Sequence, residues 1–209
     1  MRFRFALAAL VLAAVAGLAA LLPDAQAQKA PTPAAQPGYQ VGDRLSGGGK
    51  PAAEFTEIEW DDLLPPDWNP QALFDDIDLD SLGDNDPRAM DLMRRLREEW
   101  DRAPVVQAMN GRRIRIPGFV VPLEGDGKTV REFLLVPYFG ACIHVPPPPA
   151  NQLIHVLPDK PIPGDWNMVP VWVSGVLTVA RIDSELGNAG YQLRGIKVEE
   201  YVEPLPGTK

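Results

Sequence analysis

A mainly β fold, either a small antiparallel barrel or a sandwich with one preceding amphipathic helix, is predicted by three features of this 209-residue sequence. From Val105 onward, extended apolar runs recur between clusters of Gly, Pro and Asp, the pattern of short strands joined by turns. Two of those runs contain an interior glycine, Gly118 and Gly175, where glycine marks a bulge or a bend at a barrel corner. A single stretch ahead of them, residues 87–101, carries apolar side chains at helical spacing.

In chain order, a targeting segment comes first. Arg2 and Arg4 precede an apolar run from Phe5 to Leu22, and Ala25-Gln26-Ala27 supplies the small-x-small site of a secretory signal peptide. Residues 1–27 are therefore expected to be removed after Ala27, leaving a periplasmic protein without a membrane span. The rival expectation is a retained anchor, because an 18-residue apolar run lies at the edge of what spans a bilayer. No Cys follows the run to carry a lipid.

Residues 28–53 are rich in Pro, Ala, Gly and Gln and poor in large apolar side chains, so they cannot offset chain entropy by burial and are read as a flexible linker. One domain is expected over residues 54–205. It opens with an acidic segment in which Asp75, Asp76, Asp78 and Asp80 suggest a calcium loop, but the central Gly and closing Glu of such a loop are missing. The segment is instead expected to dock Trp60, Leu63, Leu64, Trp68, Leu73 and Phe74 on the domain and leave its carboxylates in water.

The helix over 87–101 has Asp84 or Asp86 as cap, Pro87 in its first turn and Met90, Met93, Leu96 and Trp100 as its apolar face. Arg94, Arg95 and Arg97 fall late in the helix, where positive charge suits the dipole. Asn110-Gly111 between extended runs predicts a hairpin turn, and Gly125-Asp126-Gly127 a second tight turn. Five or six antiparallel strands then suggest a barrel of the OB type, although that arrangement usually places its helix between the third and fourth strands, where this chain has only the short, Pro-rich 158–167.

Charge excludes some functions. The formal charge of −8 becomes −9 once Arg2, Arg4 and Asp24 leave with the signal peptide, and so acidic a surface is unsuited to gripping a phosphate backbone. No Gly-rich phosphate loop, G-x-S-x-G or H-E-x-x-H occurs.

All of the Cys and His residues, Cys142, His144 and His155, lie in "GACIHVPPPPANQLIHV". A lone thiol in an oxidising compartment cannot pair within its own chain, so it is buried, joined to another chain, metal-bound or reactive. Pro137 to Ala150 is a 14-residue connection between strands, rich enough in apolar residues to be ordered. Pro146, Pro147, Pro148 and Pro149 favour polyproline II and make a stiff strut, about 12 Å long at ~3.1 Å per residue. If the backbone is extended, Cys142 and His144 share a face with Cα atoms about 7 Å apart, near enough for one zinc or copper ion. His155 is a candidate third ligand, with Asp159, Glu132 or water as the fourth, although on its strand it also reads as an imidazole on a half-buried face. A reactive-cysteine site built from Cys142, His144 and Asn151 is disfavoured, because all three are local and no helix N-terminus activates the thiol.

"IPGFVVPLE", "FLLVPYFGACIHVPPPPANQ" and "VWVSGVLTV", preceded by Trp60-x-x-Leu63, resemble the bacterial family of domains of unknown function numbered 3299 (DUF3299) over roughly residues 55–203. The resemblance implies an exported protein associated with ABC transporter components and concerned with zinc; it implies no established catalytic activity. The expectation is thus a non-enzymatic periplasmic accessory of a transport system, binding zinc or another transition metal through Pro137–Asn151 with Cys142, His144 and His155 as ligands. One alternative is a pure interaction module with a structural Cys142. It would dock an ABC transporter permease or an associated periplasmic protein through Tyr138, Phe139, Pro146, Pro147, Pro148, Pro149 and Asn151. A thiol-dependent enzyme is the other.

Overall fold

The computed structural model describes residues 38–45, 47, 54–69 and 87–202. The expected signal peptide, the Asp75–Asp80 segment and the helix cap at Asp84 or Asp86 lie outside the described residues. Among the described residues no helix is long and apolar enough to cross a membrane.

The protein is mainly β; among the described residues a single sheet of seven strands is accompanied by one α-helix that precedes its long strands. The strands are β1 (Thr56–Glu57), β2 (Arg113–Gly125), β3 (Thr129–Val136), β4 (Ile154–Pro158), β5 (Ile162–Pro163), β6 (Pro170–Ser184) and β7 (Gly187–Glu200). Their order is β1-β2-β6-β7-β4-β3-β5, and β2 also pairs with β3. The pairings therefore close a circuit, β2–β6–β7–β4–β3–β2, in which only β4 and β7 run parallel.

Alternation along these strands produces two apolar layers. One face carries Ile114, Ile116, Val120, Phe133, Leu135, Ile154, Val156, Leu177, Tyr191 and Leu193, all buried in one cluster. The opposite face of β2, β3 and the residues before β4 carries Phe119, Val121, Leu134, Val136 and Leu153, which belong to a second cluster. Strands buried on both faces read as continuous apolar runs, which is why "FLLV" and "LIHV" carry so little polar punctuation. The interior glycines answer close approach: a Cβ on Gly175 would stand 1.9 Å from the Arg194 carbonyl oxygen, beside a register shift at Ser174/Gly175, and one on Gly118 would strike Leu135.

Three sequence expectations need correction. Asn110-Gly111 does not close a hairpin, because a 3-10 turn at Gln107–Met109 precedes it and only β2 follows. Asn110 keeps φ −63°, Gly111 takes φ +77°, and the Arg112 amide bonds to the Met109 carbonyl; this is a type II turn, whereas the hairpin type I′ needs positive φ at both positions. The helix α1, Pro87–Asp101, has the expected span but a different buried face: Leu92 and Leu96 are covered, while Met90 and Met93 are 67% and 52% exposed. Arg94 and Arg95 pair with Asp91 and Glu98 along the solvated side.

The third correction concerns the linker. Residues 38–45 are docked. Tyr39 meets the Phe119 ring edge-on at 5.3 Å and stacks with Phe139, Leu45 is buried, and the Gly42 and Phe139 amides bond to the Phe139 and Asp43 carbonyls respectively. Tyr39 and Leu45 supply the burial that the surrounding small residues cannot.

In the acidic segment, the described part behaves as expected. Trp60 and Leu63 are buried, Asp61 and Asp62 are exposed, and the Trp60 indole donates to the Pro117 carbonyl at 2.7 Å. The Tyr191 hydroxyl accepts from the Val106 amide and donates to the Leu63 carbonyl, binding this segment to β7.

Candidate functional site

Ordered throughout, the connection from β3 to β4 is not extended where Cys142 lies. Gly140 (φ +87°) and Cys142 (φ +64°) turn the chain sharply, the His144 amide bonds back to the Gly140 carbonyl at 2.8 Å, and Ala141 bridges Val145. A non-glycine residue in this left-handed region costs about 1–2 kcal/mol, which the packing beneath must offset. That packing is the second apolar cluster, which Cys142 joins as a half-buried side chain with Phe139, Ala141 and Met168. Burial pushes the thiol up to about 12, so at neutral pH it is a protonated, apolar group. His144 is exposed. The shared face expected for Cys142 and His144 required an extended backbone that the turn replaces.

His155 sits elsewhere. On β4 its neighbours Ile154 and Val156 enter the first cluster, so its imidazole points to the opposite face, yet it is only 5% exposed. Gln192 Nε2 donates to its Nδ1 at 3.2 Å, and its Nε2 in turn meets Glu132 Oε2 at 3.0 Å. Its polar partners come from β3 and β7 and include neither Cys142 nor His144. Among the described residues no group of three or more His, Cys, Asp or Glu side chains could hold a metal ion, so the three expected ligands do not form one site. Asp159 likewise pairs with Arg194.

The expected docking residues divide by burial. Phe139 is buried and T-shaped against Phe119 at 5.7 Å, and Asn151 is fully buried, with Nδ2 donating to the Pro104 carbonyl at 2.9 Å; neither can touch a partner directly. Tyr138 is half-buried and bridges Arg44. Of the proline strut, Pro146 is exposed, Pro147 and Pro149 are half-buried and Pro148 is buried. The strut is held on two sides. Pro146 and Pro147 share a crevice with Met93, Leu96, Arg97 and Trp100 of α1, and Pro147 lies 2.9 Å from where a Cβ on Gly187 would stand. An aromatic groove for the prolines is thus partly provided by the chain's own Trp100.

Gly187 ends the turn from β6 to β7, and that turn walls an open cleft of about 540 Å³. The cleft is lined by Pro122, Leu123 and Glu124 of β2, Glu132 of β3, His155 of β4, and Ile182 to Leu186. Sequence reasoning named only His155 and Glu132 here, and as ligands of a different site. Glu124 was missed because a β-bulge sets its placement, and the residues 182–186 because only tertiary packing brings them to His155. The pairs Pro122↔Phe133 and Gly125↔Val130 keep one register, which by simple counting would put Glu124 opposite Arg131; the shift between them puts Glu124 opposite Glu132. Arg131 goes to Asp126 instead, at 3.3 Å.

A single two-faced sheet, with an ordered proline-stiffened connection and a cleft beside it, defines the class of protein. The chain belongs to the DUF3299 family, described as "Protein of unknown function (DUF3299)", which matches residues 60–200. Among solved structures it is similar to a DUF3299 family protein from Pseudomonas aeruginosa PAO1, with 35% sequence identity and a TM-score of 0.57, covering 72% of this chain and 98% of that one. No curated protein matches the chain.

Proposed function

We propose that this chain is a non-enzymatic, exported binding module with an OB-like barrel, serving a transport system by docking a permease or an associated periplasmic protein. The closed circuit of pairings, with β4 and β7 as its one parallel pair, supports the barrel reading. Periplasmic location rests on the Arg2 to Ala27 pattern, and the transport connection on the family resemblance.

One observation carries the docking reading over the metal and thiol-enzyme readings: the loop turns Cys142 and Asn151 inward, leaves His144 exposed, and shows apolar side chains outward. Cys142 is protonated and packed, Asn151 is fully buried, and Ile143 (39% exposed), Pro146 and Met93 (52%) face solvent where the loop and α1 meet water. Exposed Met and Pro at the edge of an aromatic crevice suit an apolar protein surface.

Co-purification from detergent-solubilised membranes tests this. Wild-type protein is expected to retain its partner, and Met93→Glu combined with Ile143→Glu to lose it while keeping the same melting temperature. Retention by that variant, or zinc bound one-to-one in protein prepared without chelators, would overturn the docking reading in favour of another.

A further inference from the structure

Sulfur is distributed unevenly over this fold. Of the four methionines beyond Met1, two are buried and two are more than half exposed. Met109 and Met168 belong to the two apolar clusters, and each sulfur accepts a hydrogen bond at 3.4 Å, from the Arg112 guanidinium and the Gly140 amide respectively. Met90 and Met93 stand three residues apart on the solvated side of α1, while the same helix turns Leu92 and Leu96 inward. Cys142, the remaining sulfur, is half-buried and protonated, and a thiol is attacked through its thiolate. The chain thus hides its thiol and shows two thioethers.

Position gives the exposed pair a consequence. Met93 lines the crevice in which Trp100 of α1 meets Pro146 and Pro147, and Met90 lies about one helical turn before it. A thioether is apolar and polarisable, so this face of α1 suits another apolar surface. One oxygen added to the sulfur makes it a polar sulfoxide, which an apolar partner would have to strip of water before closing on it. The change falls on the surface and leaves the packed layers beneath it untouched, because Leu92 and Leu96 carry the inward face.

We propose that Met90 and Met93 form a reversible oxidation site: a hypohalous acid converts both thioethers to sulfoxides, the exposed face of α1 turns polar, and docking is lost. In each step a sulfur lone pair attacks the oxygen of hypochlorous acid. The S–O bond forms as the O–Cl bond breaks, chloride leaves with the electrons of that bond, and the hydroxyl proton passes to water. Sulfur is oxidised by two electrons and chlorine is reduced by two. Reversal removes the oxygen as water while a dithiol is oxidised to a disulfide, the chemistry of methionine sulfoxide reductases. Only the exposed pair takes this course in the folded chain, because an oxygen on Met109 or Met168 would have to enter a close-packed cluster. The consequence for docking rests on the docking reading; the choice of site does not.

The test treats the purified chain with limiting sodium hypochlorite and quenches with free methionine, so that no membrane component meets the oxidant. One portion goes to peptide mass spectrometry and another to co-purification from detergent-solubilised membranes. Trypsin releases both exposed methionines in one peptide, residues 89–94, and they are expected to carry sulfoxide at a level at least about tenfold above Met109 and Met168. The oxidised chain is expected to retain about tenfold less partner at an unchanged melting temperature, and the two sulfoxide reductases, one for each epimer, to restore it. Met90→Leu with Met93→Leu removes both sulfurs, and retention by that variant should be the same before and after the oxidant, whatever its starting level. Equal oxidation of buried and exposed methionines overturns the site. Retention that survives full oxidation of the pair, or that falls as far in the leucine variant, overturns the switch and leaves docking standing. Untreated protein that retains no partner overturns the docking reading and the switch with it, while the sulfoxide map still decides the site.

Discussion

Cys142 and His155 are neighbours in the sequence and both face away from the first apolar cluster, but the chain treats their surroundings in opposite ways. At Cys142, Tyr39, Phe119, Phe139 and Met168 close over the strands, and the thiol becomes part of an apolar seal. At His155, the end of β6 and the turn that follows it bring Asp183, Ser184 and Glu185, and the result is an open acidic cleft. The difference teaches that a side chain's chemistry here is decided by what crosses over the sheet, not by the residues beside it in the chain. Two aromatic rings supplied from before and after the strands make one half dry; a polar turn makes the other half wet.

If the Cys142 side is as closed as this packing makes it, the largest effect will be on thiol chemistry. With the thiol at about 12 rather than its ordinary 9, iodoacetamide at pH 8 should label the native protein about a thousandfold more slowly than the unfolded chain. Native labelling at the unfolded rate would mean that the seal is open. The linked stability runs in the same direction. Above pH 9 the unfolded chain releases the thiol proton while the folded one keeps it until about 12, so stability falls as pH rises through that window. Cys142→Ser should flatten this alkaline loss in urea melts recorded at successive pH values.

Next in size is the seal itself. Phe119→Ala removes a fully buried ring that contacts both Tyr39 and Phe139, and should cost about 3–5 kcal/mol in urea unfolding. It should also raise the Cys142 labelling rate; a variant that lost stability but left the thiol as slow as before would separate the ring from the seal. Gly175→Ala should cost about 1–3 kcal/mol, since its Cβ would meet the Arg194 carbonyl and the backbones of β6 and β7 must part. This change acts on the closed circuit, so it should weaken both halves together without changing the ratio between them.

The smallest effect is expected in the cleft. Glu124→Gln removes one of two opposed carboxylates and should raise stability by roughly 0.2–1 kcal/mol at low salt, an increase that fades at high ionic strength. Destabilisation instead would show that Glu124 has a favourable partner, and the contrast between an apolar seal and a self-repelling acidic cleft would disappear. Asp126 provides an acid-side control near the same strands. The Thr129 amide, then the Lys128 amide, hold its carboxyl below the usual 3.8, so its contribution is present above 3.8 and is lost as pH falls through its lower folded value.

Much of the fold was legible. The span of α1, the glycines at close approach in β2 and β6, the turn at Gly125-Asp126-Gly127 and the docking of Trp60 all follow from local rules of capping, periodicity and steric room. The candidate site was far less so. A loop composition rich in Phe, Tyr, Ile and Val announced that residues 137–150 would be ordered, but not that Cys142 would sit at φ +64° in a turn. The apolar face of α1 was misplaced because Met90, Met93, Leu92 and Leu96 are all compatible with a helical stripe, and only the surface it packs against selects Leu92 and Leu96. Residues 38–45 read as linker because two anchors, Tyr39 and Leu45, are too few for a compositional signal, though enough when a matching apolar face waits on β2 and β3.

By itself, the sequence determined that this is a mainly β chain with one preceding helix and that its strands are long and apolar; these are properties of short windows, and short windows carry them. Only the tertiary structure decided where Cys142, His144 and His155 go. Strand pairing is a contact between residues far apart in the chain, and a one-residue bulge in β2 and β3 exchanged an ion pair of Glu124 with Arg131 for an opposed pair of carboxylates beside an imidazole. A shift of one residue leaves no trace in composition or periodicity, yet it places the charges of the cleft.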